Sequence, residues 1–203
     1  DPNAIEIIAT DFGEAFVAGA HEYLPNAKSV YDPFHLIQIA NRYLDRDRAS
    51  TQVNGQRQRI KRNALLKEPD KLNEKEAQVL LDITKDNEDL GRSYEMKESL
   101  RQLFKYTSKE IDLARTHLDR WGQWAAEKGT KGFKALAKTV VKHFDGILRS
   151  IETGINNGYQ EGLNSRVQFS KRLANGYHKE MSLGRIVFFR ECAKKLVRRM
   201  RLG

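Results

Sequence analysis

The spacing of hydrophobic positions changes character once along the chain. Residues 5–10, Ile5-Glu6-Ile7-Ile8-Ala9-Thr10, form a short β-branched run that predicts a buried strand. Asp11 ends it, and Phe12, Phe16, Val17 and Ala20 then recur at helical spacing as far as residue 23. Pro25-Asn26 breaks that helix, and 27–31 predicts a second strand. Two strands joined by a helix are expected to pair in parallel with a right-handed crossover. Asp11 and Asp32 would then share the carboxyl edge, where open α/β sheets usually hold their sites.

Beyond Asp32 the strand signals stop. A helix is predicted over 34–48, with Leu36, Ile37, Ile39, Ala40 and Tyr43 on its apolar side. Residues 45–62, rich in Arg, Gln, Asn and Ser, predict an exposed connection or a frayed helix. Residues 65–148 are expected to continue as helices, near 74–83, 86–104, 109–128 and 131–148, with Pro69 the single proline in that span, which describes a helical bundle. Residues 154–162 are loop-like, a helix is predicted through Glu161 to about residue 173, and Asn175-Gly176 marks a turn. The last helix, 183–202, is amphipathic. Ile186, Phe189, Cys192, Leu196 and Met200 lie on one side, with Arg185, Lys194, Lys195, Arg198, Arg199 and Arg201 on the other. The fold class is α+β, predominantly α.

Composition narrows the class. At 203 residues, 39% hydrophobic and 31% charged, the chain can bury a core and is neither disordered nor fibrous. No apolar run approaches the roughly 20 residues of a membrane helix, and the opening lacks a basic-then-apolar leader. Cys192 is the single cysteine and no Cys/His group has zinc spacing, so a reducing, cytoplasmic setting is expected. Charge is more telling than its +9 total. Residues 1–160 carry 25 Lys/Arg against 24 Asp/Glu, whereas 161–203 carry 11 against 3. A field localised in this way points to a polyanion, with nucleic acid first. A basic helix that is merely solvated is the plain alternative. The helical middle is nearly balanced and is not expected to be the main polyanion site.

The candidate chemistry centres on residues 156–172, NNGYQEGLNSRVQFSKR, where Glu161 lies among glycines and asparagines with basic residues behind it. Two carboxylates at strand ends and one from a distant helix are the elements of a two-metal phosphoryl-transfer site. Mg²⁺ is the default ion, with Mn²⁺ its substitute, because both accept hard oxygen ligands. Every residue also has a structural reading. Asp11 is either a ligand or a helix N-cap, and Glu161 either a ligand or a helix-start glutamate favoured by the dipole. Asp32 and His35 either shape the site or pair structurally. Asn157, Gly158 and Asn164 either shape the loop near the acid or cap it. Lys171 and Arg172, about three helical turns beyond Glu161, either hold phosphates or only solubilise. Trp121 and Trp124 are core residues or base-stacking platforms. His117 and His143 have no partner at metal spacing and are expected to be structural.

The run IIATDFGEAFVAGAHEYLPNAKSVYDPFHLIQIAN resembles part of the catalytic core of ISL-type insertion-sequence transposases. The likeness rests on the Asp11 element, Pro25-Asn26-Ala27 and Asp32-x-x-His35. NNGYQEGLNSRVQFSKRLANGY is similar to that family's Asn-Gly-x-x-Glu-Gly-Leu-Asn segment, and the middle resembles it through Leu65-Leu66-Lys67 and Tyr94-x-x-Lys97. The resemblance implies a partial RNase-H-like core over 1–50, an all-helical insertion over 51–150, and a glutamate-bearing helix with a basic C-terminal helix over 151–203. It implies a DDE triad in which Asp11 is the second acid and Glu161 the third, both metal ligands. The first acid is expected upstream; Asp1, ahead of Pro2 in a polar stretch, does not fit. The chain is thus expected to be a C-terminal portion that does not catalyse unaided. Pro33 replaces a usual basic residue and Gln168 a usual lysine, which alters the DNA path rather than the acids. DNA is the implied partner, bound by Lys171, Arg172, Arg185, Lys194, Lys195, Arg198 and Arg199. No membrane partner is expected, a homodimer is the assembly considered, and the setting is prokaryotic and nucleoid-associated. The rival reading is a non-enzymatic basic helical module, or a transposase remnant, that binds DNA or RNA.

Overall fold

The computed structural model describes residues 2–10, 12, 14–53, 56–57 and 62–155. After a 3₁₀ turn at Pro2–Ala4, strand β1 (Ile7–Thr10) and strand β2 (Lys28–Tyr31) flank helix α1 (Glu14–Tyr23). The strands pair in parallel, from Ile7 opposite Lys28 to Thr10 opposite Tyr31. β1 starts later than the sequence predicts. The Ile5 amide donates to Pro2 O within the opening turn (3.4 Å), and the Ile5 side chain is 41% exposed.

Helix α2 (Pro33–Ser50) starts cleanly. Asp32 caps it, accepting from Phe34 N at 2.9 Å, and Pro33 occupies the first turn, where no donor is lost. Leu36, Ala40 and Leu44, one turn apart, form its buried face. A small antiparallel pair follows, β3 (Gln52–Val53) with β4 (Gln56–Arg57), where the sequence predicts no further strand. Two-residue strands are too short to display a period of two, which is why the pattern misses them.

The remainder is helical: α3 (Arg62–Leu66), α4 (Glu74–Asp86), α5 (Glu88–Leu103), α6 (Ile111–Lys128), α7 (Lys131–Lys142) and α8 (Phe144–Thr153). Asn73 and Glu76 form a capping box at the start of α4, and Asn87 ends α4 and caps α5. The single helix expected over 131–148 is two. His143 (φ −115°, ψ 19°) leaves helical geometry, and its amide is shared between Thr139 O and Val140 O. Gly154 closes α8 in the left-handed conformation (φ 66°), which glycine adopts without a Cβ penalty.

One contiguous core runs from Tyr31 to Ile151. Trp121, 2% exposed, anchors it and donates its indole N–H to Met96 O at 2.9 Å, so this ring is core and not a stacking platform. Trp124 packs partly buried against the same core. His117 is also structural. Its ring Nε2 lies 2.8 Å from Ser99 Oγ, and burial lowers its pKa. The sequence-matched pairs Leu65-Leu66-Lys67 and Tyr94-x-x-Lys97 meet inside the bundle. Fully buried Lys97 donates to Leu65 O (2.5 Å), lies 2.6 Å from Glu98 Oε1, and sits over the Tyr94 ring. The described residues are therefore mostly helical, with a small parallel sheet. No described helix is long and apolar enough to cross a membrane.

Candidate active site

The parallel register determines what the carboxyl edge of the sheet can hold. Thr10 and Tyr31 are partners at the end of the ladder, and the Asp32 amide reaches back to Thr10 O (3.4 Å). The two strands therefore end at the same edge. Thr10 is 1% exposed, and its Oγ1 is buried without a hydrogen-bond partner among the described residues. Asp11, the next residue in sequence, lies outside the described residues. So do Asn157, Gly158, Glu161, Asn164, Lys171, Arg172, Arg185, Lys194, Lys195, Arg198 and Arg199.

Asp32 is 4% exposed and committed locally. One carboxylate oxygen caps α2, and the other lies 3.7 Å from His35 Nδ1, beyond hydrogen-bonding reach. Aromatic packing secures the edge. The Phe12 ring stacks on Tyr31 (centroids 4.9 Å apart, 7° between planes), and the His143 ring tilts against Tyr31 at 4.4 Å and meets Phe12 edge-on at 5.3 Å. The break between α7 and α8 thus delivers a histidine of the helical region to the sheet. Burial raises the Tyr31 phenol above its usual pKa, so it remains neutral at pH 7.

Behind β2 lies an open groove of about 450 Å³, with Asn26, Lys28 and Ser29 on one wall and Lys142, Asp145 and Arg149 on the other. Arg149 donates to Ser29 O (2.5 Å), which joins α8 to the strand. Its walls carry three cations and one carboxylate, and Arg115 lies 3.9 Å from that Asp145 carboxylate. A charge count over the whole helical region conceals these cations because it averages over all faces. Among the described residues no three metal-capable side chains come together.

Residues 1–183 match the family model of ISL3-type DDE transposases. The chain belongs to that transposase family. It is 29% identical over 190 aligned residues to a transposase for insertion sequence element IS1557 of Mycobacterium tuberculosis, covering 80% of this chain and 42% of that protein. It is 27% identical over 182 residues to a transposase for insertion sequence element IS1001 of Bordetella parapertussis, covering 85% of this chain and 44% of that protein. The transposase-family chain thus spans less than half the length of these relatives. No solved structure matches it.

Proposed function

We propose that the chain is a C-terminal portion of the catalytic domain of a DNA transposase, acting within a longer protein. The observation that supports this reading is the parallel, in-register pairing of β1 and β2, whose carboxyl ends, Thr10 and Tyr31, are partners in the ladder. In this reading 1–50 form the second half of that core and 51–150 a helical insertion. Residues 151–203 return a glutamate and a basic helix to the core. Asp11 is the second acid and Glu161 the third; the first belongs to a strand ahead of β1.

The donors on offer suit a hard divalent cation. Both assigned ligands are carboxylates, and the other acid at the edge, Asp32, is engaged as a helix cap. Asp11 and Glu161 would hold Mg²⁺ or Mn²⁺, which supply Lewis-acid stabilisation of the attacking and leaving oxygens of a phosphodiester. Asn157, Gly158 and Asn164 shape the loop that presents Glu161. Lys171, Arg172, Arg185, Lys194, Lys195, Arg198 and Arg199 hold backbone phosphates and so position the DNA.

In the complete protein, Asp11→Asn and Glu161→Gln each lower cleavage at the element ends by at least about 10³-fold, a loss of about 4 kcal/mol of transition-state stabilisation, with DNA affinity retained. Cleavage assays alongside filter binding measure both. Undiminished cleavage overturns the assignment. Loss of binding together with cleavage favours the second reading, a non-enzymatic basic module for DNA or RNA, which the excess of 11 Lys/Arg over 3 Asp/Glu in 161–203 supports.

A further inference from the structure

Helix α7 has a composition unlike its neighbours. Its twelve residues, KGFKALAKTVVK, include four lysines and no acid. Lys131, Lys134, Lys138 and Lys142 are spaced three, four and four apart, which at 3.6 residues per turn confines them to an arc of about 80°. All four are exposed, while Phe133, Leu136, Ala137 and Val140 form the buried side of the same helix. The lysines thus form one continuous stripe and are not scattered for solubility. Among the described residues Lys131, Lys134 and Lys138 have no carboxylate partner.

The ground beside the stripe is suited to a long, smooth ligand. Gly122 and Ala126 of α6 and Ala137 and Val141 of α7 line an open groove of about 490 Å³, flanked by Lys134, Lys138 and Lys142. No acid lines it. Val141 is 69% exposed, a large apolar side chain left uncovered between cations. Lys142 and Val141 also line the groove behind β2, where Lys28 and Arg149 continue the positive wall. The basic track therefore leads from the first turn of α7 to the flank of β2.

We propose that the lysine face of α7 binds the phosphate backbone of duplex DNA and guides it along the flank of β2. This rests on the transposase reading above and extends it from the basic C-terminal segment to the helical region. Geometry and electrostatics agree. From Lys131 to Lys142 the helix rises about 16 Å, the length of duplex axis that carries about five phosphates of one strand at roughly 3.4 Å each. Four flexible ammonium groups along that rise follow a backbone without reading its sequence. The shallow floor lets the backbone of the ligand approach α6 and α7 closely.

The test is the salt dependence of binding by the full chain to a short DNA duplex of arbitrary sequence, followed by fluorescence anisotropy. Lysine and glutamine have similar helix propensity, so the triple variant Lys134→Gln, Lys138→Gln and Lys142→Gln keeps α7 intact, and an unchanged melting temperature verifies this. The slope of log K against log salt should flatten by about three, roughly one for each lost phosphate contact. A control triple variant of Lys75, Lys85 and Lys109, exposed lysines elsewhere on the helical region, should retain the original slope. An unchanged slope in the α7 variant overturns the proposal and leaves the transposase reading in place. No DNA binding by the unaltered chain overturns both.

Discussion

Asp47 shows how one side chain can join three segments. Its Oδ2 accepts from Ser93 Oγ of α5 and from Thr130 Oγ1 ahead of α7, each at 2.8 Å, while its own carbonyl accepts from Thr51 Oγ1. Burial nevertheless outweighs these hydrogen bonds, and with Asp89 nearby the carboxyl is held above the ordinary aspartate range. An acid whose pKa is higher folded than unfolded contributes most while protonated. That contribution is complete below the unfolded value and fades as pH rises through the folded one. The unaltered chain should therefore lose stability relative to Asp47→Asn as pH rises above about 4, since the amide still accepts from both hydroxyls and carries no charge. Asp47→Ala should cost about 1–3 kcal/mol at pH 4 and less as pH rises, because it removes the carboxyl acceptor of the buried Ser93 hydroxyl. Urea melts of the three proteins at pH 4 and pH 7 separate these outcomes; a stability difference between the unaltered chain and Asp47→Asn that does not vary with pH contradicts the argument. Nothing in the sequence marks Asp47. It sits in a stretch of alternating charge, and its partners are 46 and 83 residues away.

Among the elements, the helix most closely tied to the sheet is α8, and glycine is what brings it there. A Cβ on Gly146 would stand 2.4 Å from Tyr31 Cδ2 and 3.1 Å from Ser29 O. The Tyr31 ring cannot swing aside, because Phe12 covers one side and His143 presses on it. Gly146→Ala should destabilise by about 1–3 kcal/mol in spite of the better helix propensity of alanine, and should disturb the edge that holds Thr10 and Asp32. Gly122 in α6 is the counter-case. A Cβ there meets nothing within 4 Å, so Gly122→Ala should stabilise by about 0.8–1 kcal/mol, which in a chain of this size is a few degrees in Tm. Calorimetry on both variants checks the pair, and equal signs would refute the packing argument. At this scale the sequence is a good guide where periodicity runs long. The two strands, α1, α2 and the sequence of α4, α5 and α6 all follow from it within a few residues. It fails at His143, since a helix break imposed by an aromatic contact with a distant strand has no local signal. It fails at β3 and β4 because four residues carry no period.

For the whole molecule, the legible and the illegible divide by distance along the chain. The Asp-x-x-His and Glu-Gly-Leu-Asn motifs point to the family without any structure, because they are local strings. The basic track on α7 is equally visible as a string of lysines. Its significance depends on which face is buried, and a balanced charge count for the region hides it. Charge and core are also partitioned differently. Residues 1–156 form a compact unit of their own, and the core of the described residues, from Tyr31 to Ile151, lies in it. The strong positive excess belongs to 161–203. A unit that encloses Trp121, Lys97 and Phe133 has a core of its own. A fragment of residues 1–156 should therefore unfold in a single cooperative transition, with a heat-capacity increment of about 2 kcal/mol/K by the usual per-residue scaling. Its near-UV circular dichroism should retain the signal of an immobilised tryptophan. A broad, low-enthalpy transition with a flat near-UV spectrum would mean that 157–203 contribute to the core, and the division of the chain near residue 156 would then fail. If the fragment folds, its duplex affinity should fall steeply relative to the full chain, while a residual salt slope of about three to four remains from the four lysines of α7.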